Sequence, residues 1–301
     1  MEKYSNIQQF DLSMGPIALA IGNFDGIHLG HQKLMELLLS DKQLKSLVVT
    51  FEPHPVQVLK PEISFKKLFS SDDQKKQLES LGIHFLLQLK FDFSMSELSY
   101  HDFLNWLLSH ISIKKIVIGH DFRFGKNREG TFENLKNWCF EKKIEFIRVE
   151  RVTLEGITIS TSEIKTRLEK GEINLVNQML GRAYYLEGVV VQGDQRGRLL
   201  GFPTANMDID PQIQVPRIGV YSTYVFIDGK RYRGVTNVGK TPTFKSDERI
   251  KIETHILEFD QDIYGKKIKV EFSQYIRGEK KFSSIDEIKA QIALDIKESI
   301  K

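Results

Sequence analysis

The sequence predicts two modules of different class. The first is α/β with a parallel sheet; the second is all-β, closes as a small antiparallel barrel and ends in a helix. Three observations predict this. The chain has 301 residues, enough for two domains at roughly 100–200 residues each. Up to Leu180, short apolar runs alternate with amphipathic stretches, the pattern of crossover units. After Gly181 the texture changes to runs rich in Val, Ile, Tyr and Thr, punctuated by Gly, Asp and Pro. The modules are therefore set at 1–181 and 182–301.

In the first module, Ile17–Ile21 reads as a buried strand that ends at Gly22. His31–Leu39 reads as a helix with Leu34, Leu37 and Leu38 on one face. Leu47–Phe51 is a strand, and Asp73–Leu81 a helix stopped by Gly82, with Ser70, Ser71 or Asp72 as its N-cap. Strand Phe85–Leu89, helix Tyr100–His110, strand Ile116–Ile118, helix Phe132–Lys142 and strand Ile144–Val149 follow. Ser162–Leu180 is helical. In the second module, strands are expected at Gly188–Val191, Tyr221–Ile227, Arg231–Val238, Ile250–Phe259 and Lys267–Ser273. Asp228-Gly229 and Tyr264-Gly265 mark turns. Ser283 or Ser284 caps a last helix carrying Ile288, Ile292 and Ile296 on one stripe. In a parallel sheet of this kind ligands sit at the carboxyl ends of strands, so the loops after Ile21, Phe51 and Ile118 are the ones to read.

Composition narrows the class. With 41% hydrophobic and 28% charged residues the chain is of ordinary globular type. Its 43 basic and 40 acidic residues give a net charge of +3, too even to argue for nucleic acid. The single cysteine, Cys139, permits neither an internal disulfide framework nor a cysteine metal site. No apolar run approaches the ~20 residues needed to cross a bilayer, and the N-terminus lacks an apolar signal core. The expectation is a cytoplasmic protein with no nucleic-acid, membrane or obligatory protein partner.

The loop after Ile21 reads Gly22-Asn23-Phe24-Asp25-Gly26-Ile27-His28-Leu29-Gly30-His31. Glycines let a backbone approach phosphate oxygens, and a helix N-terminus favours an anion. His28 and His31, three apart, can put two imidazoles on one side of that entrance, where two donors stabilise charge on an α-phosphate that becomes five-coordinate. The alternative is that the histidines cap the helix and the glycines turn the chain. The loop after Ile118 contains Asp121, Phe122, Arg123 and Phe124, a mixture suited to an aromatic ligand bearing phosphate. Its alternative is an ordinary loop with at least one Phe in the core. In the second module Thr204 and Asn206 are oxygen donors two residues apart, on one side of an extended segment, able to hold Mg²⁺ and a phosphate. The alternative there is a turn. Glu253 alternates with apolar neighbours in a way that leaves its face open; facing a ligand, it can accept the proton of a hydroxyl, and the alternative is a surface or salt-bridged glutamate.

GNFDGIHLGHQ (22–32) resembles the fingerprint of the nucleotidylyltransferase superfamily in the form found in bacterial FAD synthetases. TFEPHP (50–55) and the DFRFG segment (121–125) are similar to further motifs of that family, and Ile159-Ser160-Thr161-Ser162-Glu163-Ile164-Lys165 to its ISSTxIR, with Lys165 where the family has Arg. Lysine keeps the charge and loses the bidentate fork. GFPTAN (201–206), preceded by Gly193 and Arg196-Gly197-Arg198, resembles the riboflavin kinase hallmark; GVTNVGKTPTF (234–244) and IETHIL (252–257) resemble its next two motifs.

The chain thus resembles the prokaryotic bifunctional riboflavin kinase/FAD synthetase family from about Gly15 to Ile296. The resemblance implies a Rossmann-like nucleotidylyltransferase domain and a riboflavin kinase barrel. It also implies phosphorylation of riboflavin to FMN and adenylylation of FMN to FAD, with ATP as co-substrate and Mg²⁺ as cofactor. The site residues it implies are His28, His31 and Glu253 as catalytic. Gly22, Phe24, Asp25, Gly26, Gly30, Ser160, Thr161, Ser162, Lys165, Gly193, Arg196, Gly197 and Arg198 would contact ATP and its phosphates; Asp121, Phe122, Arg123, Phe124 and Arg277 the flavin; and Thr204 and Asn206 the metal. A member with one decayed site and a non-catalytic flavin-binding regulator are the alternatives.

Overall fold

The computed structural model describes residues 1–193, 197, 200–241 and 249–300. The packing divides it into two compact units, Met1–Thr161 and Ser162–Lys301.

The first unit is a six-stranded sheet of β1 (Glu2–Tyr4), β2 (Ile17–Ile21), β3 (Lys45–Glu52), β4 (Phe85–Lys90), β5 (Ile113–Gly119) and β6 (Glu145–Val149), in the order β1-β4-β3-β2-β5-β6. Every pairing is parallel. β2 is buried along its whole length, as an unbroken apolar run in a covered parallel sheet must be. Its alternate residues serve two core layers. Ile17, Leu19 and Ile21 meet the helices α5 (Tyr100–His110) and α6 (Phe132–Lys142) on one face; Ala18 and Ala20 meet α1 (Leu29–Leu38) and α3 (Ser71–Ser80) on the other. The order reverses between β2 and β5, so the loops after these strands flank the switch point where such sheets bind ligands. Short elements that periodicity does not reveal complete the unit: β1, α2 (Pro55–Leu59), α4 (Phe93–Ser96) and a hairpin of β7 (Thr153–Leu154) and β8 (Ile157–Thr158).

The second unit begins with α7 (Thr161–Lys170) and α8 (Ile173–Leu180), parted at Gly171, where φ is +79°. A single helix over 162–180 is therefore corrected to two. β9 (Tyr184–Val191), β10 (Ala205–Asp208), β11 (Gly219–Ile227), β12 (Lys230–Thr241), β13 (Arg249–Ile256) and β14 (Lys267–Arg277) form a closed antiparallel barrel in the order β10-β13-β12-β11-β14-β9. The strand texture does begin after Gly181, but α8 packs against β9 and β14, so the packing division lies about twenty residues before the sequence division. Helix α9 (Ile285–Ile300), capped by Ser284 whose hydroxyl accepts the Glu287 N–H at 3.2 Å, lies across β11, β12 and β14. No helix among the described residues is long and apolar enough to cross a membrane.

Candidate active sites

In the first unit the β2–α1 loop is held in a costly conformation. Phe24, Gly26 and Ile27 have φ of +49°, +88° and +38°; for a β-branched residue such as Ile27 that is a true outlier. Both apolar side chains are buried. At Gly22 a Cβ would come within 3.0 Å of the Phe24 ring, and at Gly30 within 3.1 Å of the His28 ring, so a side chain at either position would crowd the neighbouring ring. His28 is the N-cap of α1, its Nδ1 accepting the His31 N–H at 3.3 Å. The capping reading is thus correct, and it is compatible with the catalytic one, because an accepting Nδ1 puts the proton of the neutral ring on Nε2. The His28 and His31 rings stack, centroids 3.7 Å apart and planes 17° apart, with the Phe24 ring edge-on to His31 at 5.2 Å.

Hydrogen bonds to groups elsewhere in the unit pin this loop. Asp25 Oδ1 accepts the Leu68 N–H at 2.8 Å, and Thr161 Oγ1 donates to the Asp25 carbonyl at 2.9 Å. Asp25 and Thr161 therefore shape the loop directly. A small cleft of about 30 Å³ adjoins it, lined by residues that include Asn23, Asp25, Glu52, His54, Lys67 and Gln74. Glu52 sits at the end of β3, accepting from Lys67 Nζ at 2.7 Å and from Ser71 Oγ at 2.9 Å. His54 caps α2 and stacks on Phe65. Sequence reading missed Lys67 and Gln74, which no motif marks.

The loop after β5 splits in character. Asp121 and Arg123 are exposed, whereas Phe122 and Phe124 are half-buried, stack at 5.1 Å and pack on the core layer beneath α5. The core alternative thus describes both rings. Ser160 and Thr161 belong to the first unit and Ser162 and Lys165 to the second, so this motif straddles the packing division.

In the barrel, register decides what pattern left open. Ile252 and Thr254 are fully buried inside; Glu253 points outward. It pairs directly with Asn206 on β10 and with Asn237 on β12, so three polar side chains form one row across three strands. Lys251 Nζ lies 3.0 Å from Glu253 Oε1, and His255, next on the same face, bonds the Pro203 carbonyl at 2.8 Å through Nδ1. That bond anchors the segment entering Thr204. A Cβ at Gly193 would fall 2.2 Å from Asn206 Nδ2, and one at Gly197 2.5 Å from the Phe202 carbonyl and 3.2 Å from Thr204 Oγ1. The glycine backbone thus lies directly over the two oxygen donors. Asn237 and His255 lie within the motifs read from the sequence but were given no role there, and Lys251 was not singled out. Arg196, Arg198 and the Pro242-Thr243-Phe244 end of the third motif lie outside the described residues.

The donors fit a phosphate-borne cation. Asn206 Oδ1 is buried and has no hydrogen-bond partner among the described residues, which costs free energy unless a ligand satisfies it. No group of three or more His, Cys, Asp or Glu suited to a metal occurs among the described residues. Neutral oxygens suit Mg²⁺ that keeps waters and phosphate oxygens as its other ligands. Arg277 is otherwise engaged: it forms a bidentate pair with buried Asp295 of α9, at 2.8 and 2.7 Å.

Two family patterns match, FAD synthetase over residues 12–163 and riboflavin kinase over residues 180–301. A bifunctional riboflavin kinase/FMN adenylyltransferase from Bacillus subtilis is 37% identical over 94% of this chain and 91% of its own length. Enzymes of the same name from Listeria monocytogenes and Escherichia coli are each 34% identical, over 92% and 95% of this chain and 89% and 93% of theirs.

The chain belongs to the bifunctional riboflavin kinase/FMN adenylyltransferase family.

It carries both modules, and with them both activities: ATP-dependent phosphorylation of riboflavin to FMN and adenylylation of FMN to FAD. A crystal structure described as a macrolide-efflux protein from Streptococcus pneumoniae, 30% identical, superposes with a TM-score of 0.92 over 100% of this chain and 98% of its own. The fold is therefore common to both.

Proposed function

We propose that the outward row on β10, β13 and β12 carries the kinase step. Glu253 accepts or orients the proton of the riboflavin 5′-hydroxyl while that oxygen attacks the γ-phosphorus of ATP and ADP leaves. Thr204 Oγ1 and Asn206 Oδ1 are the protein ligands for Mg²⁺, which when bound supplies charge neutralisation at the phosphates. The backbone at Gly193 and at Gly197 covers the nucleotide phosphates, with Arg196 and Arg198 adding charge. The observation that carries this reading is the direct pairing of Glu253 with Asn206, whose buried amide oxygen awaits a ligand.

The β2–α1 loop carries the second step. A phosphate oxygen of FMN attacks the α-phosphorus of a second ATP, and pyrophosphate leaves. His28 and His31 stabilise the five-coordinate charge. Gly22, Phe24, Gly26 and Gly30 bring backbone close to the phosphates, and Ser160 holds the leaving group. Asp121 and Arg123, both exposed, contact the FMN while Phe122 and Phe124 support them from the core.

The test is incubation of the purified chain with riboflavin, ATP and Mg²⁺, with FMN and FAD separated over time. Glu253→Gln stops FMN formation yet still converts supplied FMN to FAD. His28→Ala accumulates FMN and makes no FAD. Wild-type rates in either variant would overturn the corresponding assignment.

A further inference from the structure

The strained β2–α1 loop is held by one side chain that no motif contains. Gln74 projects from α3, and its Nε2 donates to two successive carbonyls, Asn23 at 2.6 Å and Phe24 at 3.2 Å. Both partners are carbonyl oxygens, so the atom facing them must be the amide nitrogen. A trans peptide is planar, and its C=O and the next N–H point in opposite directions. By drawing back the carbonyls of Asn23 and Phe24, Gln74 turns the N–H groups of Phe24 and Asp25 the other way. Thr161 does the same at the Asp25 carbonyl, and Gln32 Nε2, at 2.9 Å, at the Ile27 carbonyl. Four peptide groups between Asn23 and His28 are thus oriented by side-chain donors from outside the loop. Gln74 donates to two of them: the carbonyl of Asn23, which Thr50 Oγ1 also reaches at 3.4 Å, and that of Phe24, whose φ is +49° and which also accepts the Ile27 N–H at 3.4 Å.

We propose that Gln74 is a positioning residue for adenylyl transfer. It fixes the direction of successive backbone N–H groups in the loop that meets the ATP phosphates. This rests on the reading of that loop as the adenylyl-transfer site. Fixed backbone dipoles aimed at developing charge act on the transition state, so the loss should appear in kcat more than in KM for FMN.

The experiment uses the full chain with three substitutions at one position, each assayed for FMN adenylylation and for riboflavin phosphorylation. Gln74→Glu keeps the shape but faces the two carbonyls with a carboxylate; kcat for FAD formation is expected to fall on the order of a hundredfold, KM for FMN to change little, and riboflavin phosphorylation to continue at the wild-type rate. Gln74→Lys, which keeps a donor, restores most of the rate. Gln74→Leu, which removes the donor without adding charge, lies between. A Gln74→Glu or Gln74→Leu enzyme with wild-type kcat overturns the proposal. So does an equal loss in the Lys and Leu variants, since bulk and not donation would then be at fault. Thermal melting identifies a variant that fails to fold, in which case the Lys–Leu comparison decides. His28→Ala run alongside separates the premises: FAD formation that survives it sinks the reading of the loop, whereas FAD formation lost with His28→Ala but kept with Gln74→Glu sinks only the role of Gln74.

Discussion

Asn206 on β10 stands directly opposite Glu253 on β13, and the amide side chain of Asn206 lies against the backbone of Gly193. The position of a hydrogen-bonding amide beside the carboxylate therefore depends on a residue that has no side chain.

Gly193→Ala is expected to displace Asn206, because the added methyl would sit 2.2 Å from its Nδ2. Overpacking of this kind costs about 1–3 kcal/mol. A shift of about 1 Å at a reacting group lowers the rate on the order of a hundredfold. Steady-state kinetics should show riboflavin phosphorylation reduced accordingly while FMN adenylylation holds.

Arg277 and Asp295 tie the last barrel strand to α9, with Asp295 only 3% exposed at its side chain. Removing one member leaves the other charge buried, a loss of about 3–5 kcal/mol. Arg277→Met and Asp295→Ala should therefore lower the denaturation midpoint of the barrel by similar amounts. If Arg277 bound flavin directly, its substitution would instead raise the KM for riboflavin with stability intact.

The packing division makes a prediction about fragments. Val176, Met179 and Leu180 of α8 are fully buried, and Asn177 donates to the Phe272 carbonyl at 2.9 Å and accepts the Tyr184 N–H at 2.7 Å. Each such apolar side chain contributes about 1.5–3 kcal/mol by burial. A fragment of residues 162–301 is expected to fold and phosphorylate riboflavin. One of residues 182–301 should melt lower, as circular dichroism would show.

Burial pushes the Cys139 thiol up to about 12. The unfolded thiol ionises near its ordinary value of 9.0, so above that pH the unfolded chain loses a proton that the folded chain keeps. This contribution is constant below about pH 9 and then falls with rising pH. Thiol-reactive reagents at pH 8 should label Cys139 only as fast as the first unit opens. Rapid labelling of the native protein would contradict its burial.

How much of this was legible in the sequence depends on whether the cause is local. The run Ile17–Ile21 announces its strand because both faces are covered, and Gly22 and Gly30 announce a close approach because few other residues allow one. Glu2–Tyr4, Pro55–Leu59 and Thr153–Leu154 are too short to show a period, and only their partners define them. Glu253 has Ile252 and Thr254 beside it, and a buried Thr at a core position blurs the alternation that would have revealed its face. Thr254 is tolerated inside because its hydroxyl joins those of Thr236 and Thr223, each step 2.9 Å. Gln74 and Lys251 matter through register and tertiary contact, which no local pattern encodes.

That alternation also bears on how the barrel can change over time. Ile252, Thr254 and Ile256 look inward and answer to packing; Lys251, Glu253 and His255 look outward, on the face proposed above to carry the kinase step. Selection for stability and selection for catalysis thus act on interleaved positions of one strand without competing for the same side chains. A saturation scan along β13 should show the two sensitivities out of phase, so the inner lining can drift between lineages while the outer row stays under a separate constraint.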